Sequence, residues 1–230
     1  MTTALQNTSS RSAAVIEQSL LAFGVGMDPA VRADIKHAYQ FASLAASKAH
    51  PGDDQTEQWF NLFVKVMRDM GWVALKRSYE RESSQSQSLK LGAVAFKTMK
   101  VVGQAVLSNP LTDALAQLAS EALEGLGKIT EAQDLLKRNL KEKQVNTVGL
   151  AACVQNEAGE IILAMSAIDS KPFDDHQLHT IVFEWESHAT AHYSAGVVFV
   201  FHRESYDAVR DDIRDRLKDR TVRNVLDYAI

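Results

Sequence analysis

The sequence predicts an α+β protein: an N-terminal bundle of about six helices within residues 1–142, then a four-stranded antiparallel sheet and a C-terminal helix within residues 147–230. Three observations predict it. Apolar residues recur every three or four positions up to about residue 142. From 147 to 202 the pattern changes to alternation and to runs rich in β-branched and aromatic residues. Helix-starting and helix-stopping residues fall between the periodic stretches of the first part. Helices and strands segregated in this way argue against a parallel βαβ fold. The boundary is placed at 141–147. Four strands leave one apolar face to cover, so the last helix and part of the bundle can close both regions into one compact domain.

Each element has its own signal. Ile16, Leu20 and Phe23 stand at helical spacing, and Gly24 and Gly26 end that segment. Asp28-Pro29 opens the next helix, with the Asp side chain as cap and Pro in the first turn. Val31, Ile35, Ala38, Ala42 and Ala45 form its stripe, and His50-Pro51-Gly52 stops it. Asp54 and Glu57 have capping-box spacing ahead of a strongly apolar helix through Trp59, Phe60, Phe63, Met67, Met70 and Val73. That helix continues into the charges Lys76, Arg77, Glu80, Arg81 and Glu82, and the polar stretch 83–88 is a loop or a helix end. Residues 89–107 and the helix after Asn109-Pro110 form an antiparallel helical hairpin. Thr130 and Gln133 start a further helix through Leu136 and Leu140.

The strand candidates are 147–155 and 160–168, joined by a turn at 156–159, and then 179–192 and 197–202, joined by a turn at 194–196. Tyr206, Val209, Ile213 and Leu217 mark the final helix. Asp212 and Arg216 stand one turn apart on its charged face, and Val222, Val225 and Leu226 give it a last turn or two.

Composition narrows the function classes. A net charge of −4 leaves no general basic surface, so no nucleic acid is expected as partner. The 46% hydrophobic content suffices for a full core, and the single cysteine excludes an intrachain disulfide. Residues 1–11 do not read as a secretory signal, so the default location is the cytoplasm, with signal-independent export left open.

The candidate chemistry is sparse. Five of seven histidines, His176, His179, His188, His192 and His202, fall near the strands, and imidazole is a common metal ligand. On an extended strand, however, His188 and His192 lie roughly 13 Å apart and cannot share one ion. Cys153 sits in an apolar strand and is expected to be structural. Asp174-Asp175, beside His176, reads as a solvated pair in a loop. Walker A, G-x-S-x-G, H-E-x-x-H and G-x-G-x-x-G patterns are all missing. No catalytic residue, metal ligand or cofactor is therefore assigned.

The most unusual stretch is 83–112, which carries no Asp or Glu and three lysines, Lys90, Lys97 and Lys100. On a helix these lysines line a narrow polar stripe opposite Leu91, Val94, Ala95, Met99, Val102 and Val106. They are the candidate membrane- or partner-binding residues. The expected function is a non-catalytic interaction protein with a protein partner, open to contact with an anionic membrane and to a place in a toxin or membrane-active system. A small metal-dependent or hydrolytic enzyme built on the His-rich strands is the alternative.

Overall fold

The computed structural model describes residues 10–52, 55–82, 87–89, 91–143, 147–169, 185–187 and 192–230. Helices and strands interleave along these residues. The hairpin β1 (Ser12–Ile16) and β2 (Ser19–Phe23) comes first, followed by α1 (Pro29–Ala49) and α2 (Thr56–Asp69). Next come β3 (Trp72–Glu82), β4 (Gln87–Leu89), α3 (Leu91–Gln104), α4 (Asn109–Leu126) and α5 (Thr130–Lys143). Strands β5 (Thr147–Gln155), β6 (Ile161–Asp169), β7 (Trp185–Ser187) and β8 (His192–Phe201) follow. The chain continues through α6 (Arg203–Asp207), α7 (Arg210–Leu217) and α8 (Asp219–Asn224) to β9 (Val225–Ala229).

Seven strands form one mixed sheet in the order β3-β8-β6-β5-β2-β1-β9, and β4 pairs with β7 separately. All neighbours in the large sheet are antiparallel except β2 and β5, which run parallel from Ser19 beside Gly149 to Phe23 beside Cys153. Two cores result. On one face Ala14, Ile16, Leu21 and Phe23 pack with α1, α2 and α7. On the other, Ala13, Val15, Leu20 and Ala22 pack with α3, α4 and α5. The architecture is thus a sheet between two helical layers.

This overturns the expected α+β arrangement of a six-helix bundle followed by a four-stranded antiparallel sheet and a C-terminal helix. The physical reason is burial on both faces. A central strand covered on both sides reads as a continuous apolar run, and periodicity cannot distinguish such a run from a buried helix. Residues 12–23, expected as helix, are wholly of this kind. β3 was masked differently: it is an edge strand whose outer half is charged and exposed, and a register shift between Ala74 and Lys76 breaks its alternation. β9, expected as a last helical turn, instead pairs with β1 from Val225 beside Ile16 to Ala229 beside Ser12. No turn occurs at 194–196, because β8 runs through it. Gly196 stands there because α3 crosses closely: a Cβ would lie 2.8 Å from Thr98 Cγ2 and 3.0 Å from Val102 Cγ1.

Other local signals match the structure. Asp28 Oδ1 accepts from the amide of Ala30 at 2.7 Å and caps α1. The β5–β6 hairpin turns at Asn156, whose amide donates to Glu160 O at 2.9 Å. Asp54 of the supposed capping box lies outside the described residues.

Gly71 ends α2 with φ +87°, and its carbonyl accepts from His202 N at 2.8 Å. A Cβ there would meet His202 O at 2.8 Å, at the start of α6, and Ser205 Cβ at 3.0 Å, within it. Gly71→Ala is therefore expected to lower stability by about 1–3 kcal/mol through overpacking alone, read from the urea midpoint. An unchanged midpoint would show that α6 yields without cost.

Candidate binding groove

Among the described residues, a concave feature lies between α1 and the C-terminal helices α7 and α8. Helix α1 turns one side to the sheet through Ile35, Tyr39 and Ala42. Phe41, Leu44 and Lys48, one turn apart, lie along its other side. Helix α7 is held against α1 by one buried carboxylate. Asp34, 2% exposed, accepts from Arg210 Nε at 3.0 Å and Arg210 Nη2 at 2.7 Å, with Arg214 Nη2 at 3.5 Å. Those hydrogen bonds, more than Coulomb attraction, hold the Arg210 pKa above its ordinary value. Arg210 also meets Asp207 at 2.5 Å and lies 5.6 Å from the Tyr206 ring centroid.

His37 stands beside this clamp. Burial first, then the neighbouring Arg214, push its imidazole pKa below 6.5, against the opposing pull of Asp34. Because the folded state disfavours the charged imidazole, the unfolded chain binds more protons in the window just below pH 6.5. His37 thus contributes stability that is complete above the unfolded pKa and is lost as pH falls toward the folded one. His37→Gln should flatten the pH dependence of unfolding between pH 7 and 5. An equally steep loss in the variant would assign it to other groups.

Beyond the clamp the seam opens into a trough of about 570 Å³. Phe41, Leu44, Ala45 and Leu217 give its apolar lining, and Lys48, Arg216 and Arg220 its charge. Among the described residues the lining contains no acidic side chain, and none of these three cations forms an ion pair with a described residue. The expected pairing of Arg216 with Asp212 is not made. Lys218, at φ +37°, breaks the helical path between α7 and α8 and carries the chain from Arg216 to Arg220.

Under the trough lies a polar network. Ser47, also in the lining, accepts from Gln18 Nε2 at 3.1 Å and Trp59 Nε1 at 3.0 Å. Gln40 donates to the buried Glu17 carboxylate at 2.7 Å and accepts from Thr221 Oγ1 at 2.9 Å. A second pocket, about 270 Å³, sits near the start of α1. Its cations are already engaged: Lys36 with Asp227 at 2.7 Å, Arg11 with Glu121, and Arg32 with Ser12 Oγ at 2.8 Å and Gly24 O at 3.1 Å.

The sequence-derived candidates lie elsewhere. Lys97 and Lys100 are exposed on α3, and Lys100 pairs with Asp113 of α4 at 3.1 Å. Lys90 is outside the described residues. Ala95, Met99 and Val102, assigned to the apolar side of that helix, are fully buried in the second core. His176, His179, His188, Asp174 and Asp175 are outside the described residues, and only the backbone of His192 is described. His202 is exposed ahead of α6. Among the described residues no group of three or more His, Cys, Asp or Glu could hold a metal, and no helix is long and apolar enough to cross a membrane. Cys153 is fully buried, and desolvation pushes its thiol pKa up, away from the thiolate. Sequence reasoning missed Asp34, Lys48, Arg216 and Arg220. The Arg-rich stretch 210–223 was the available signal, but nothing local told which of its arginines meet a carboxylate.

No family model and no curated protein matches this chain. Among solved structures, a similar chain is described as "Structure of the Evf virulence factor", with 11% identity over 89% of this chain and 82% of that one, and a TM-score of 0.33. A likeness at that level transfers neither fold nor function.

Proposed function

We propose that this chain is a non-catalytic interaction protein that recognises its partner through the groove between α1 and α7–α8. One observation carries the reading: three cations with no counter-ion among the described residues border an apolar trough. Folding gains little from the charges and only part of what the apolar lining could give. Like charges held together repel, and the half-buried Phe41, Leu44 and Ala45 leave part of their apolar surface in water; a partner that is both apolar and anionic relieves both. The trough volume is within the range that ligand sites occupy. Its position also favours recognition, because the Asp34 clamp and the network through Ser47 and Gln40 fix both walls before a partner arrives.

The test uses an anionic apolar dye, 1-anilinonaphthalene-8-sulfonate. The wild-type protein should bind it at low salt, and added salt should weaken the binding by screening. Changing Lys48, Arg216 and Arg220 together to Gln should weaken it about tenfold or more, with each exposed charge contact contributing up to ~1 kcal/mol. Dye binding that ignores both salt and the triple substitution would overturn the proposal.

A further inference from the structure

We infer that the groove receives an acidic amphipathic helix of a partner protein, an inference that rests on the groove being the recognition surface. Backbone chemistry argues first. Along α1 the main-chain groups are already bonded within the helix, and among the described residues no strand edge of the sheet borders the trough. An extended segment laid there would bring its own amides and carbonyls against apolar side chains without partners. A helix satisfies those groups internally and presents only side chains.

Shape argues next. The trough is open along one side, whereas small-molecule sites enclose most of their ligand. Phe41 to Lys48 spans seven residue steps of α1, about 10 Å at ~1.5 Å per residue, close to two turns of a facing helix. The apolar lining is recessed between helices, where a flat bilayer does not reach it.

Charge and exposure complete the case. Apolar anchors at every third or fourth position of the incoming helix would meet the half-buried Phe41 and Leu44, above the buried Leu217. Flanking carboxylates would meet Lys48, Arg216 and Arg220. Beyond the trough, Val222 of α8 is 84% exposed and stands between Arg220 and Arg223 of the chain. It extends the apolar footprint in the same basic setting.

The probe is a fluorescent synthetic peptide of about 14 residues, with Leu on one helical face and Glu beside it. One control replaces Glu by Lys, and another scrambles the order so that no apolar face forms. Fluorescence anisotropy should show the acidic amphipathic peptide binding wild-type protein and both controls failing. The Lys48, Arg216, Arg220 triple Gln variant should bind it about tenfold more weakly or worse, and Val222→Ser about threefold. Equal binding of the Glu and Lys peptides, equal binding of the scrambled peptide, or indifference to the triple substitution would overturn the inference, and the controls work on wild-type protein alone. Dye binding without peptide binding would remove the helix and leave the groove as a recognition surface; loss of both would remove both. Binding to phosphatidylglycerol vesicles that depends on these same three cations, with no peptide binding, would replace the partner protein by a lipid surface.

Discussion

Phe63→Ala should destabilise the protein by about 3–5 kcal/mol, the usual range for removing a buried aromatic ring. Phe63 is fully buried on α2. It stacks on Trp59 with centroids 5.4 Å apart and meets the Tyr39 ring edge-on at 5.1 Å. Its loss leaves a cavity between α2 and α1, and neither remaining ring can fill it without leaving its own contacts. Trp59 in particular is fixed by its indole hydrogen bond to Ser47 at 3.0 Å. Equilibrium urea unfolding reads the effect as a lower midpoint with an unchanged slope. A change below about 1 kcal/mol would show that the three rings are not a shared core.

Asp34→Asn should cost about 3 kcal/mol, near the lower end for breaking a buried pair, because Arg210 keeps 22% of its side chain in solvent. The amide preserves the shape but not the charge. Arg210 then keeps Asp207, while Arg214 loses the Asp34 carboxylate. If uncompensated charge is the cause, replacing Asp34 and Arg210 together by Leu and Met should recover much of the loss. A double variant as unstable as Asp34→Asn would instead assign the cost to packing. Because the clamp joins α1 to α7, the single variant should also weaken dye binding in the groove, although Asp34 is not part of its lining.

How much of this was legible in the sequence follows the range of the interactions. Asp28 capping α1, the Asn156 turn and the α3–α4 pair are local, and local residue types announce them. β1 and β2 were hidden because two helical layers bury both of their faces, erasing alternation; β9 is a five-residue edge strand, too short for its pattern to stand apart from the helix before it. β8 was split in two because Gly196 resembles a turn glycine, whereas its actual cause is the approach of α3. The groove was scarcely legible. The stripe read on α1 runs from Val31 to Ala42 along the side turned to the core and reaches the groove lining only at Ala45. Asp34 and Arg210 are 176 residues apart, with no spacing rule to connect them. The lysines of α3 drew notice by composition, which records what a helix carries but not the surface its apolar side meets.

The tight turn between β1 and β2 has a consequence for the order of events in folding. Glu17 holds φ +55° there, a conformation that favours Gly or Asn, and Gln18 completes the turn. Nothing intrinsic to the pair favours it. The turn is held by distant donors and acceptors: Asn139 Nδ2 donates to Glu17 O at 2.7 Å, Glu17 N donates to Asn224 O at 3.1 Å, and Gln40 holds the carboxylate. The earliest hairpin of the chain therefore cannot serve as its nucleus. As synthesis proceeds, residues 12–23 emerge with two hydrophobic strands and no stable bend, and they wait through some two hundred residues for Asn224 and β9. Through that interval they are the segment most in need of a chaperone, and the first places to look for aggregation-suppressing substitutions are Glu17→Gly and Glu17→Asn, which would let the bend form unaided at the expense of the native carboxylate contacts.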